Sequence, residues 1–154
     1  MNFHRIIPED LINGEGVRVT LFVSGCEHAC PGCYNKSTWS PASGEIFTED
    51  HLQHIITLLS PDYVRGLSLT GGDPLHDNNL GVVESIIARV NRVYQGTKNI
   101  WLWTGYTLQE MSGQRLSVAQ SVDVLIDGKY VERLKDARLP FRGSSNQIIH
   151  RFKL

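Results

Sequence analysis

The residues most able to carry out chemistry are three cysteines that lie close together. Cys26, Cys30 and Cys33 are the only cysteines of the chain, and their spacing is C-x3-C-x2-C. Three thiolates on one loop can bind three irons of a cubane iron-sulfur cluster and leave the fourth iron without a protein ligand. An iron in that state can bind a substrate. The spacing therefore predicts a [4Fe-4S] cluster with three cysteine ligands.

Three other uses of these cysteines compete with a cluster. A disulfide framework is disfavoured because the number of cysteines is odd and the first ten residues lack the apolar core of a signal peptide. A structural zinc ion needs four ligands, and His28 is the only nearby candidate for the fourth. Burial as inert core thiols is disfavoured because glycine, proline, histidine and glutamate surround the cysteines. The zinc and core alternatives stay open at this point.

Length and composition predict a single domain. The chain has 154 residues, enough to bury a substantial core, and its formal net charge is −1. We therefore expect residues 1–154 to form one domain. The absence of a basic excess argues against nucleic acid as a partner, and no apolar run has the ~20 residues of a membrane helix. Clustered free thiols favour a reducing compartment, so we expect a cytoplasmic protein.

Strands and helices alternate along the sequence. Apolar, β-rich segments predict strands at residues 17–24, 66–70, 100–104 and 122–126. Helical periodicity predicts helices at residues 48–60 and 79–95, and a less regular helical segment at 107–119. No strand is predicted before the first of these segments or after the last. This alternation predicts an α/β fold with mainly parallel strands and right-handed crossovers.

Four strand-helix units are too few to close an eight-stranded barrel, so we expect an open partial (β/α) barrel or an open twisted sheet. In either form, ligands bind at the carboxyl ends of the strands. Each predicted strand is followed there by a distinctive group of residues. These groups are residues 26–33, 71–74, 104–106 and 127–129. The pattern therefore predicts one site built from four loops.

Several of these motifs resemble a known superfamily. The cysteine triplet resembles the signature of radical S-adenosylmethionine (SAM) enzymes, and the sequence Gly71-Gly72-Asp73 resembles their glycine-rich motif after the second strand. The segments NGEGVR at 13–18, WTGY at 103–106, DGKY at 127–130 and RGSSNQ at 142–147 extend the likeness over nearly the whole chain. Within the superfamily the chain is similar to the glycyl-radical-enzyme activases, and most of all to those that serve anaerobic ribonucleoside-triphosphate reductases.

The resemblance implies an activity, cofactors and partners. A one-electron transfer from a [4Fe-4S] cluster would cleave SAM to methionine and a 5′-deoxyadenosyl radical. That radical would abstract a hydrogen atom from a backbone glycine in the large subunit of the reductase. A flavodoxin or ferredoxin would supply the electron. Several activases carry further ferredoxin-like clusters in a cysteine-rich insert, and this chain has no cysteines left for one.

The resemblance also implies roles for individual residues. Gly71 and Gly72 would present backbone carbonyls to the amino group of SAM, with Asp73 as a possible carboxylate partner. Asp127 and Lys129 would bind polar groups of SAM. Many radical SAM enzymes place an aromatic residue before the third cysteine, where it stacks on adenine. Here Gly32 precedes Cys33 and the aromatic Tyr34 follows it, so these residues are the candidates for the adenine contact.

Other residues are assigned from the predicted strands. Trp103, Thr104 and Tyr106 are expected to line the adenosine site or contact the partner, whereas Trp101, deeper in its strand, is expected in the core. Arg142 is a candidate for holding a carboxylate or a partner backbone.

Two other functions stay open. A small radical SAM enzyme could act on a small molecule, as in heterocycle formation in the deazaguanine pathway. A zinc-stabilised binding module would be a function without catalysis.

The NGEGVR segment at residues 13–18 departs from the N-G-P-G motif usual in the activases, because Glu15 stands in the proline position.

Overall fold

The computed structural model describes residues 1–153, which form one mixed sheet with three α-helices. The strands are β1 Asn2–Asp10, β2 Val17–Val23, β3 Glu45–Ile46, β4 Val64–Gly71, β5 Asn99–Trp103, β6 Val124–Asp127 and β7 Ile148–Arg151. The helices are α1 Glu49–Leu58, α2 Leu80–Tyr94 and α3 Gly113–Gln120. Within residues 1–153, no helix is long and apolar enough to cross a membrane.

The centre of the sheet is parallel and its two sides are antiparallel. The strand order is β3-β1-β2-β4-β5-β6-β7, in which β2, β4, β5 and β6 pair in parallel. β1 pairs with both β2 and β3 in the antiparallel sense, and β7 does so with β6. The parallel strands are linked in turn by α1, α2 and α3. Their order rises without reversal, so their carboxyl ends form one continuous edge.

All three helices pack on the same face of the sheet. Ile55 of α1, Val83 of α2 and Val118 of α3 belong to one core together with Leu21 and Leu69 from the strands. Such burial of aliphatic side chains is the main favourable contribution to folding. A barrel-like arrangement also keeps its helices on one face, whereas a doubly wound sheet has them on both.

The opposite face of the sheet is more polar and aromatic. Trp101 is fully buried there against Val124, Ile126 and Phe141, as expected for a core tryptophan. Arg18 is also fully buried, and its guanidinium donates to Ser68 Oγ at 2.7 Å, among other oxygens. Burial lowers the pKa of Arg18 to about 10, so the side chain stays charged at neutral pH.

The predicted alternation is confirmed, and the flanking strands were missed. Strands β2, β4, β5 and β6 and helices α1 and α2 lie at the predicted positions. Residues 107–119 were predicted as a less regular helical segment with an interruption at Ser112-Gly113, and only the part after the interruption is α-helical. That stretch starts as a 3-10 turn at Leu108–Glu110, and α3 begins only at Gly113. Strands β1, β3 and β7 were not predicted at all.

Candidate iron-sulfur and cofactor site

The carboxyl ends of the four parallel strands converge on one cavity. Its lining includes all three cysteines and residues from each of the next three strand ends. From those ends it contains Gly71, Gly72, Asp73, Trp103, Thr104, Gly105, Gly128 and Lys129. The four loops predicted to form one site are therefore neighbours in space.

The cysteine loop begins where β2 ends at Val23. Two backbone hydrogen bonds hold its first part against residues 38–39. The Gly25 N–H donates to Thr38 O at 2.7 Å, and the Cys26 N–H donates to Trp39 O at 3.0 Å. A further bond, from the N–H of Cys33 to Cys30 O at 3.1 Å, closes a turn between the last two cysteines. The positions of the cysteines are thus fixed by main-chain bonds of the loop itself.

The three cysteine thiols are free and lie at the cavity wall. All three residues are half-buried. Burial raises the pKa of Cys26 to about 11 and also raises the pKa of Cys30. Both thiols are therefore protonated at neutral pH in the absence of metal. Iron binding would displace these protons, since the thiolate is the ligand.

The geometry fits a cluster better than a single zinc ion. Within residues 1–153, no three Cys, His, Asp or Glu side chains converge on one position for a metal ion. Zinc requires such convergence, whereas the thiolates of a cubane cluster each bind a different iron. His28, the proposed fourth zinc ligand, is engaged elsewhere, because its Nε2 lies 2.6 Å from Asp73 Oδ2. The donor set thus fits three irons of a cubane.

The two glycines after β4 let that loop pack directly on the start of the cysteine loop. Gly71 has a positive φ of 109°, and a Cβ there would lie 2.5 Å from Val23 N. A Cβ on Gly72 would lie 2.6 Å from Gly25 O. These contacts give the glycines a structural reason to lack side chains, in addition to the ligand approach inferred from the sequence.

Asp73 is the centre of a buried polar network that joins three of the loops. Its carboxylate is 1% exposed and accepts from the Thr104 hydroxyl at 2.8 Å and from the N–H groups of Gly105 and Leu75, each at 2.9 Å. His28 lies against the same carboxylate. Donors of the chain itself therefore surround the Asp73 oxygens. This geometry favours a positioning role for Asp73 over direct contact with SAM.

Tyr106 extends the network toward the surface. Its ring packs edge-on against His28 with centroids 4.5 Å apart, and its hydroxyl donates to Glu27. Arg115 of α3 covers the other side of the ring at 4.0 Å and donates to Leu75 O at 2.9 Å. Burial raises the pKa of Tyr106, so its hydroxyl is a hydrogen-bond donor at neutral pH.

Gly32 and Tyr34 lie on either side of Cys33 in different surroundings. A Cβ on Gly32 would lie 2.7 Å from the Glu132 carboxyl carbon, so the loop packs tightly at this position. Tyr34 is 72% exposed, and its ring lies 5.9 Å from that of Tyr130 at the edge of the cavity. A hydrogen bond with Lys135 lowers the pKa of Tyr34.

Asp127 and Lys129 share one cavity, and of the two only Lys129 also lines the cysteine cavity. Lys129 lines the cysteine cavity, but Asp127 lines an adjoining cavity of about 650 Å³ that also contacts Lys129. The Asp127 carboxylate is buried, accepts from the Leu108 N–H at 2.6 Å and lies 3.0 Å from His150 Nε2. Of the predicted D-x-K pair, only the lysine therefore lines the cavity that contains the cysteines.

Comparison with known proteins identifies the family. The family described as "4Fe-4S single cluster domain" matches residues 12–150. Proteins named anaerobic ribonucleoside-triphosphate reductase-activating protein match over nearly their full length. The one from Escherichia coli K12 is 47% identical over 99% of this chain and 100% of its own, and the one from Vibrio cholerae is 49% identical over 100% of both. The chain belongs to this family of reductase-activating proteins. A bacteriophage T4 member is 45% identical over 96% of this chain and 92% of its own.

Some features of this family member could not be found from its sequence alone. The pairing of His28 with Asp73 is one of them, because it spans 45 positions of the chain. Tyr130, Gly143 and Gln147 line the cavity and were not singled out as site residues. The only available signal for them was their place in the DGKY and RGSSNQ segments.

Proposed function

We propose that this chain activates an anaerobic ribonucleoside-triphosphate reductase by placing a glycyl radical on its large subunit. The observation that carries the proposal is the convergence of the three cysteines with the loops after β4, β5 and β6 on one cavity. Family membership supports the same function, since the named relatives are activating proteins of that reductase. The activity is that of a radical SAM oxidoreductase.

Cys26, Cys30 and Cys33 would hold one [4Fe-4S] cluster, and SAM would bind its fourth iron. The cluster would supply the single electron for reductive cleavage of SAM to methionine and a 5′-deoxyadenosyl radical. The half-buried thiols at the cavity wall support three-cysteine ligation. Since the chain is similar to activases, a flavodoxin or ferredoxin is the proposed electron donor, and the cytoplasm its place of action.

The remaining site residues would bind and orient SAM. Gly71 and Gly72 line the cavity beside the cysteines, where their carbonyls can accept from the amino group of SAM. Lys129, on the same cavity, can pair with its carboxylate. Asp73 would keep the loop after β4 in place, and Asp127 would hold the β6 end through Leu108.

The adenine would lie near the third cysteine. Gly32 leaves the loop narrow on one side of Cys33, and the exposed Tyr34 ring on the other side is available for stacking. We assign Gly32, Cys33 and Tyr34 to this contact.

The whole chain would act as one open partial (β/α) barrel. Four parallel strands in unbroken order, with all helices on one face, support this architecture. We take residues 1–154 as a single radical SAM domain. An incomplete barrel leaves one side of the site accessible, which a protein substrate requires.

Cluster assembly and SAM cleavage test the proposal. Anaerobic reconstitution should give about four irons and four sulfides per chain, and added reductant and SAM should yield 5′-deoxyadenosine and methionine. Cys33→Ala should abolish both products, whereas His54→Ala, on α1, should leave them unchanged. One equivalent of zinc with no iron or sulfide, or an iron-loaded protein that never cleaves SAM, would contradict the proposal.

A further inference from the structure

The loop between β1 and β2 presents two large aliphatic side chains to solvent. Leu11 is 72% exposed and Ile12 is 79% exposed. Side chains this exposed gain almost nothing from burial on folding. Neighbouring exposed aliphatic residues beside a cavity often mark a site of protein contact.

This loop is held in place by buried polar groups. Asp10 is 5% exposed, and its carboxylate accepts from the Ile12 N–H at 2.8 Å, from Asn13 Nδ2 at 2.6 Å and from the Thr20 hydroxyl at 2.7 Å. The Ser68 hydroxyl donates to Asn13 O at 2.5 Å. The two aliphatic side chains are thus displayed from a fixed support, which lowers the entropy lost on binding a partner.

A groove leads from this loop to the cysteines. It has a volume of about 420 Å³, and its walls include Ile12, Tyr34, Trp103 and Phe141. Tyr34 and Trp103 also line the cysteine cavity, so the groove and the cavity are continuous. A chain segment lying in the groove would therefore reach the proposed SAM site.

Arg142 in the groove has unused hydrogen-bonding capacity. Its Nη1 donates to Gln147 O at 2.7 Å, but its Nε is buried and has no hydrogen-bond partner among residues 1–153. Within the same residues it also forms no ion pair with a carboxylate. Arg142 is half-buried and lines the groove, so a backbone carbonyl or an acidic side chain of a bound polypeptide can pair with the accessible part of its guanidinium.

We propose that this groove, lined by Ile12, Tyr34, Phe141 and Arg142 and with Leu11 beside it, binds the reductase segment that carries the target glycine. This inference rests on the proposed function. The aliphatic side chains would pack against the segment outside the cavity, and Arg142 would bind a carbonyl or carboxylate of it. A polypeptide fits this arrangement, because Leu11 lies outside the groove lining and is available only to a partner that extends beyond it.

The adjoining cavity beside β7 is the competing entrance. It is bordered by the polar side chains of Gln109, Glu110 and Asn146, and Ile148 is its one strongly exposed aliphatic residue within residues 1–153. The pair Leu11 and Ile12, together with the unsatisfied Arg142, favours the groove over this cavity.

The test compares Ile12→Gln with two matched variants. Ile46→Gln changes an isoleucine of similar exposure, 70%, on β3 at the far edge of the sheet, and Ile148→Gln probes the competing entrance. The measurements are the dissociation constant for the purified reductase, the yield of glycyl radical, and 5′-deoxyadenosine formed without reductase. Ile12→Gln should weaken binding about tenfold and lower the radical yield at limiting reductase, with 5′-deoxyadenosine formation unchanged. The other two variants should match wild type.

The outcomes separate this inference from the proposed function. If wild type fails to cleave SAM or to form the radical, the proposed function itself fails. If wild type succeeds and Ile12→Gln equals wild type in binding and radical yield, the groove is not the docking site. A loss with Ile148→Gln alone would place docking at the competing entrance and overturn the inference. Equal losses for Ile12→Gln and Ile46→Gln would also overturn it, since the effect would not be specific to the groove.

Discussion

At the scale of single residues, the site depends on side chains that would not themselves touch the reacting atoms. Asp73 joins the cysteine loop, through His28, to the loop after β5, through Thr104 and Gly105. A buried carboxylate with this many donors is stabilised only while all of them are in place. We therefore propose that Asp73 is a positioning residue that couples the proposed cluster loop to the proposed SAM loops.

Replacing Asp73 by asparagine should misplace these loops. In Asp73→Asn an amide NH2 would replace one oxygen and face donors such as the Gly105 N–H, leaving buried groups unsatisfied. We expect SAM cleavage to fall about 10- to 100-fold while most of the iron is retained. The assays are iron content, the electron paramagnetic resonance (EPR) spectrum of the reduced cluster with and without SAM, and the rate of 5′-deoxyadenosine formation.

Asp77→Asn is the matched control for this change. Asp77 lies on the same loop, but its side chain is 84% exposed and pairs with Arg115 at the surface, so its removal should change the rate by less than about twofold. An Asp73→Asn protein with normal cleavage and a normal SAM-dependent change in the spectrum would contradict the positioning role.

The residue scale also sets a limit on what the sequence alone could predict. The three cysteines were recognisable because they are adjacent in the chain and their spacing is specific. The partners of Asp73 at His28 and Thr104 lie 45 and 31 positions away, so only the fold reveals them. The buried contacts of Asp127 with Leu108 and His150 depend on the packing of the β6 end, so they could not be predicted from the sequence either.

At the scale of elements, the parallel strands were predictable and the flanking strands were not. The central strands are buried on both faces and give continuous apolar runs in the sequence. β1 contains Pro8, which usually argues against a strand. Pro8 is tolerated for two reasons. It lies outside the part of β1 that pairs with β3, which is Asn2 and Phe3, and it lies where the β1–β2 register shifts, between Ile7 and Asp10. β7 has four residues and is half-exposed, so its pattern is weak.

The β1–β2 loop should depend on the charge of Asp10. Burial alone would raise the pKa of Asp10, but hydrogen bonds from Asn13, Ile12 and Thr20 lower it below its usual value. A lowered pKa in the folded state means that ionised Asp10 stabilises the fold above about pH 4, and that this contribution is lost as the pH falls through the folded-state pKa. Asp10→Asn should therefore lower the free energy of unfolding by about 1–2 kcal/mol at pH 7.

Urea unfolding of the metal-free chain at pH 7, 5 and 3 measures this effect. The difference between wild type and Asp10→Asn should persist at pH 5 and shrink at pH 3, because pH 3 lies below the ordinary aspartate pKa of about 4, at which Asp10 of the unfolded chain takes up a proton. Asp62→Asn, at an exposed carboxylate, should show almost no difference at any of the three pH values. The explanation fails if Asp10→Asn is as stable as wild type at pH 7, or if the difference has already vanished at pH 5.

At the scale of the whole molecule, the architecture matches the demands of a protein substrate. The helices cover one face of the sheet, the proposed cofactors lie at the carboxyl edge, and the groove beside Ile12 opens that site to a polypeptide. A site for a small molecule alone would need no exposed aliphatic pair at its entrance. The small-molecule and zinc alternatives therefore explain less of the molecule than an activase does.

Isotope transfer distinguishes hydrogen abstraction from a glycine of the reductase from every other use of the radical. The reductase is prepared with α-deuterated glycine and incubated without oxygen with this protein, SAM and a reductant. If this protein abstracts that hydrogen, we expect a glycyl-radical EPR signal on the reductase and one deuterium in the 5′-deoxyadenosine formed with it. A 5′-deoxyadenosine product without deuterium, and no radical on the reductase, would contradict hydrogen abstraction by this protein.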